Sequence, residues 1–166
     1  MKHKCIIVDL DDTITKEPFD GDVPIENNRD FWDKYHSDRE FYSTKIYKPE
    51  RNVIDFIESY YNGSYIKPMI IFLTARENLD LIRLNTYRFI RKNFKCFHSP
   101  QDFGNKYYLL MRPENDFRPS DVIKEQYLKE NILPYYNVIM AFDDDIRNID
   151  MYKRNNILCM QVNLIK

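Results

Sequence analysis

Four apolar runs in this chain each end in side chains able to handle a charged ligand. Ile6-Ile7-Val8 leads into Asp9-Leu10-Asp11-Asp12-Thr13, and Ile70-Ile71-Phe72-Leu73 into Thr74-Ala75-Arg76. Leu109-Leu110-Met111 leads into Arg112, and Ala141-Phe142 into Asp143-Asp144-Asp145. Asp9 and Asp11, two residues apart on an extended segment, would point the same way. Like charges that close are costly, and a divalent cation or a developing positive charge is the usual reason to tolerate them. Thr74 and Arg76 supply a hydroxyl and a guanidinium, both good donors to phosphate oxygens. Beyond Arg112 the chain passes Asp116 and Arg118 and reaches Lys124. Taken singly, each feature has a plainer reading: a turn or helix N-cap for the acidic cluster, a cap for Thr74, a solvated charge for Lys124. The set argues otherwise, because four strand ends bring acid, hydroxyl, cation and acid to one rim.

The elements that must position them alternate along the chain. Strands are expected at residues 4–10, 69–73, 107–111, 138–142 and 157–162. Helices are expected around 29–42, carrying Phe31, Trp32 and Tyr35, and then at 78–92, 119–128 and 146–154. A further helix starts with Pro49 at its first position, carries the stripe Val53, Ile54, Ile57, Tyr60 and Tyr61, and ends at Gly63. Strand then helix, repeated, predicts an α/β fold: a five-stranded parallel sheet with helices on both faces. In such folds the site lies beyond the carboxyl ends of the strands.

Size and charge bound the function. The 166 residues are expected to form a single domain, and 25 Lys+Arg against 26 Asp+Glu leave a net charge of -1. A polybasic nucleic-acid coat is thereby excluded, whereas an enzyme gripping one phosphate at a time is not. A 43% hydrophobic share excludes a disordered chain. No apolar run approaches the ~20 residues of a membrane span, and the first ten residues do not read as a secretory signal. Cys5, Cys96 and Cys159 form no metal-spaced cluster and read as thiols of a reducing compartment, so a cytoplasmic home is expected, or a host cytoplasm if the source is viral.

The four strand ends resemble the motifs of the haloacid dehalogenase superfamily of aspartyl-phosphate enzymes. Four apolar residues then D-x-D-x-T is matched by the run ending Asp9-Leu10-Asp11-Asp12-Thr13. The Thr or Ser motif is matched at Thr74, the helical Lys at Lys124, with Lys106 as a competitor, and the acidic pair at Asp143-Asp144. Asp12 departs from the Gly of many members, although others carry Asp there. A narrower likeness, through Leu109–Arg112, Asp116-x-Arg118 and Val122-Ile123-Lys124, is to the 3′-phosphatase domain of phage-type polynucleotide kinases. The kinase half is absent, since no G-x-x-x-x-G-K-[ST] loop exists.

The resemblance implies a three-layer Rossmann-like fold with a minimal cap, residues 14–48 forming a loop and helix insertion near the site. It implies Asp9 as nucleophile, Asp11 as general acid and base, and Thr74 with Lys124 on the nonbridging oxygens. It implies Mg²⁺ held by the Asp9 carboxylate, the Asp11 carbonyl and Asp143 or Asp144. Thr13, Arg76, Arg112 and Arg118 are the substrate-binding candidates. Arg83, Arg88, Arg91, Lys92 and Lys95 could guide a nucleic-acid backbone, or form a solvated helix face. Trp32, Tyr35 and Tyr42 could stack on bases, although core packing is favoured for Trp32. The expected activity is a Mg²⁺-dependent phosphatase acting on nucleic-acid 3′-phosphate ends, with a separate kinase or ligase as a candidate partner. A 5′(3′)-mononucleotidase and a non-catalytic binding protein of the same fold are the alternatives.

Overall fold

The structure, a computed structural model, describes residues 2–16, 48–97 and 107–163. Its strands are β1 (His3–Val8), β2 (Thr15–Lys16), β3 (Lys48–Pro49), β4 (Met69–Glu77), β5 (Tyr107–Arg112), β6 (Tyr136–Asp143) and β7 (Cys159–Gln161). Its helices are α1 (Arg51–Gly63), α2 (Asp80–Asn93), α3 (Ser120–Tyr127) and α4 (Ile146–Arg154). Five strands form one parallel sheet in the order β5-β4-β1-β6-β7. The expected five-stranded α/β sandwich is therefore the observed one.

Period-two alternation divides the sheet between two cores. On β1, Ile6 and Val8 face one side while Cys5 and Ile7 face the other; on β4, Ile70 and Phe72 oppose Ile71 and Leu73. The first face is covered by Ile54, Ile57 and Tyr61 of α1 and by Ile82, Phe89 and Ile90 of α2. The second is covered by Leu128, Ile132, Met151 and Tyr152, from the end of α3 onward and from α4. Strands buried on both faces explain the unbroken apolar runs.

The central strand is β1. Val8 is level with Phe72 of β4 on one side and Phe142 of β6 on the other. Strand order reverses direction here, so a crevice opens above the carboxyl end of β1. Asp9 is tied to this point by its own N–H, which donates to the Phe142 carbonyl at 3.0 Å.

Several boundaries differ from expectation. Strand β1 stops at Val8, before Asp9. Pro49 lies in β3, paired with Thr15, and the helix starts two residues later behind Glu50, whose N–H donates to Ile14 O at 2.8 Å. Proline suits this two-stranded edge because it has no donor to waste there. Strand β4 runs on to Glu77, so Thr74 lies inside a strand and caps no helix; the residue before α2 is Leu79. The expected helix at 119–128 continues past Tyr127 as a π-turn over Leu128–Ile132, with Leu133 N–H on Leu128 O at 2.8 Å. The expected helix at 29–42, its aromatic residues and most of the 14–48 insertion fall outside the described residues.

Phe72 is fully buried and packs edge-on against Phe94, ring centroids 5.3 Å apart. Phe72→Ala is expected to lower the unfolding free energy by about 3–5 kcal/mol, read as a fall in urea midpoint at constant slope. Leu84→Ala, on the exposed side of α2, should stay within about 0.5 kcal/mol.

Candidate active site

The turn after β1 is built on one carbonyl. Leu10 O accepts the N–H groups of Thr13, Ile14 and Thr15 at 3.2, 2.9 and 2.9 Å. Folding the chain this sharply places Asp12 at φ 55, in the left-handed region. Glycine is free there, and Asp is among the few other residues that tolerate it. This is the physical reason the Asp12 departure is harmless.

The same turn separates the two carboxylates that a continuous strand would have aligned. Asp9, nearly buried, accepts from Lys124 Nζ at 2.7 Å on Oδ1 and from Thr13 Oγ1 at 3.0 Å on Oδ2. Lys124 reaches the site from α3 and also donates to Asp143 Oδ2 at 2.8 Å. Asp143 Oδ1 is held in turn by Asn148 Nδ2 at 2.9 Å and by the Asp145 N–H at 3.1 Å. Thr13 Oγ1 lies 3.4 Å from Asp144 Oδ1. Asp11 instead faces Arg76, whose Nε donates to both its oxygens at 3.0 and 2.9 Å. The expectation that Asp9 and Asp11 point the same way is thus corrected: the strand ends at Val8, and each acid has its own cation.

Burial and charge make this a high-energy cluster without its cations. Burial, then the neighbouring Asp143, Asp144 and Asp11 charges, push Asp9 well above the usual carboxylate range despite Lys124. Burial works to lower Lys124, but Asp143 and Asp9 outweigh it and raise it, so it is held as an ammonium. Burial and Asp143 push Asp144 up to about 7. Asp9, Asp143 and Asp144 bring one oxygen each within 4.8 Å of one another. Fully ionised, the three carboxylates exceed the lysine by two negative charges, and an all-oxygen donor set of that charge suits a hard divalent cation such as Mg²⁺. The Asp11 side chain is not in that group.

The remaining expected site residues divide. Thr74 is buried at the rim, its Oγ1 accepting the Arg76 N–H at 3.2 Å. Arg76 is fully buried, bound to Asp11 and to Thr86 Oγ1 at 3.0 Å. Arg112, largely buried, donates to the carbonyls of Ala75, Asp116 and Arg118 at 2.8, 2.7 and 2.6 Å, and so clips β5 to the loop that follows it. Arg118 is half exposed, lies against Asp116 and Gln126, and its hydrogen bonds hold Asp116 down at about 2. Asp145 is an ordinary N-cap, accepting from Arg147 N at 2.9 Å, so the plain reading of the acidic cluster holds for its last member. Lys106 lies outside the described residues.

Two further residues were not singled out from the sequence. Asn148 sits in the first turn of α4, which faces back toward the end of β6. Thr86 is a polar residue inside the buried stripe Ile82, Phe89, Ile90 of α2, and that interruption was a usable signal.

A model of the polynucleotide kinase PNKP phosphatase domain matches residues 3–164. Among solved structures, a chain of "Structure of the Pnkp1/Rnl/Hen1 RNA repair complex" is 27% identical with a TM-score of 0.66, over 98% of this chain and 43% of that one. A chain of "Structure of Pnkp1/Rnl/Hen1 complex" is 26% identical with a TM-score of 0.67, over 99% of this chain and 47% of that one. This chain therefore spans less than half the length of those it matches.

Lys124→Met leaves Asp9 and Asp143 facing each other without a shared cation. The expected result is a loss of about 3–5 kcal/mol in chelator, read by urea denaturation. Added Mg²⁺ should recover part of the loss; an unchanged midpoint in chelator would show that the two carboxylates do not depend on the ammonium.

Proposed function

The chain belongs to the polynucleotide kinase PNKP phosphatase domain family, of the haloacid dehalogenase type, and we propose that it removes 3′-phosphates from nucleic-acid ends in a Mg²⁺-dependent reaction. The observation that carries the reading is the buried Asp9 carboxylate, held by Lys124 and Thr13 at the switch point of the sheet. A carboxylate fixed there, with no freedom to turn, suits in-line attack on phosphorus. The family match over residues 3–164 supports a nucleic-acid end as the phosphate's carrier.

In the first half of the proposed reaction an Asp9 oxygen attacks phosphorus. The bond to the leaving 3′-oxygen breaks as that oxygen takes the proton of the Asp11 carboxyl, releasing a 3′-hydroxyl. In the second half water attacks the aspartyl-phosphate, Asp11 takes the water's proton, and the bond between Asp9 and phosphorus breaks to release phosphate. Thr74 and Lys124 serve the nonbridging oxygens, whose charge is redistributed in the transition state. Asp9, the Asp11 carbonyl, Asp143 and Asp144 are the residues that would hold Mg²⁺. Bound there, the ion would supply the positive charge that offsets repulsion between an anionic nucleophile and a phosphate dianion.

Arg118 is the substrate-facing candidate, since its guanidinium is half exposed at the rim. Arg112 contributes by shaping the loop that carries Arg118. The solved neighbours are chains of Pnkp1/Rnl/Hen1 complexes, one named for RNA repair, which supports a separate ligase as a working partner here.

Phosphate release from 3′-phosphorylated RNA and DNA oligonucleotides, compared with 3′- and 5′-mononucleotides, tests this reading. With Mg²⁺ the oligonucleotides are expected to win by orders of magnitude, Asp9→Asn to be dead, and Asp11→Ala to lose about 10²–10⁴-fold. Faster turnover of mononucleotides would move the assignment to a nucleotidase, and silence on all substrates to a non-catalytic protein.

The two arginines should separate. Arg118→Ala is expected to raise KM for oligonucleotides while changing stability by about 0.5 kcal/mol or less. Arg112→Ala leaves carbonyls without their donors and should lower stability by about 1–3 kcal/mol.

A further inference from the structure

Arg76 is the largest fully buried side chain of the described residues, and a buried guanidinium is tolerated only when its N–H groups are matched. Its Nε and Nη2 are directed at Asp11, with Nε in reach of both carboxylate oxygens. Its Nη1 is directed the other way, at the hydroxyl of Thr86, 3.0 Å off and itself 1% exposed. Thr86 is held rigidly by its neighbours on α2, since Ile82, Phe89 and Ile90 anchor that face in the core. A planar fork pinned at one end by a core helix has one orientation left for its other end.

We propose that Thr86 is a positioning residue for the phosphatase reaction: through Arg76 it fixes the Asp11 carboxyl where it transfers its proton to the leaving 3′-oxygen. The proposal rests on the reading above, in which Asp11 is the general acid. Thr86 touches neither substrate nor reacting atoms. Its effect falls on both proton transfers of Asp11, to the leaving oxygen and from the hydrolytic water, and the first is the one that a change of leaving group isolates. Loss of the hydroxyl removes one restraint on the tilt of the guanidinium, and proton transfer is steeply sensitive to such misplacement.

The test compares wild type, Thr86→Val and Thr86→Ser on two oligonucleotides that differ in one atom. One carries the ordinary 3′-phosphate, and the other a bridging 3′-sulfur, which leaves as a thiolate and needs no proton. Thr86→Val should lose tenfold or more in the single-turnover rate of leaving-group release on the oxygen substrate, less than twofold in that rate on the sulfur substrate, and little in KM on either. Thr86→Ser, which keeps the hydroxyl, should restore the oxygen rate to within about threefold of wild type. Equal losses on both substrates, a loss confined to KM, or no loss would each overturn the proposal.

A structural arm is independent of turnover. The Arg76 Nε–H resonance in ¹⁵N NMR should exchange slowly in wild type and Thr86→Ser and quickly in Thr86→Val, with thermal melts confirming that all three are folded. Slow exchange persisting in Thr86→Val would also overturn the brace. Wild type that releases no phosphate in an Asp9-dependent way would sink the functional reading instead, and the resonance would still decide whether Thr86 holds Arg76.

Discussion

Lys124 donates to Asp9 and Asp143, groups at the ends of adjacent strands β1 and β6, from a helix on the face of the sheet. Three elements thus meet at one ammonium group, buried along with both of its acceptors. Removing the ammonium would strand both carboxylates in a low-dielectric interior, where an unpaired charge is far more costly than in water. The rest of the site is arranged around that constraint. Asn148 and the Asp145 N–H hold the second oxygen of Asp143, and Thr13 holds the second oxygen of Asp9. With those bonds in place, neither carboxylate can rotate without breaking several at once.

A second cation keeps the other acid out of this cluster. Asp9 and Asp11 are two residues apart, yet one belongs to Lys124 and the other to Arg76. The left-handed Asp12 and the convergence of three N–H groups on Leu10 O turn the chain so that this division is possible. Separate counter-charges give the two carboxyls separate environments, which lets one chain segment support two different chemical roles.

Much of the fold was legible because the apolar runs are long and the sheet is buried on both faces. Residues 146–154 were placed without error, since Asp145 caps them and the apolar positions recur at helical spacing. Ends of elements were less legible. Pro49 carries the signature of a helix start, and only its pairing with Thr15, across a long stretch of chain, assigns it to a strand. At the site, the residue types pointed to Asp9, Lys124 and Asp143, which the structure brings into direct contact, and to Thr74, which it places in the last part of β4. What sequence could not show was the partner of each group. Arg76 has the chemistry of a phosphate ligand, and its engagement with Asp11, 65 residues away, follows from the register of β4 against β1 rather than from any local pattern.

The short pair β2 and β3 bears on how the core tolerates a change of loop length. Thr15 pairs with Pro49 and Lys16 with Lys48, so the chain leaves the core and returns to it at neighbouring points beside the turn that follows β1. Because the two stems are fastened together, whatever lies between them is closed by a bond the core already makes. Lengthening such a segment adds only slowly to its closure entropy, about 0.6 kcal/mol per doubling. A change in the number of residues between the two stems therefore costs the core little, and the carboxylates, lysine and arginine stay in register. The stem works as a clasp, which separates the length of what it closes from the geometry of the carboxylate cluster behind it.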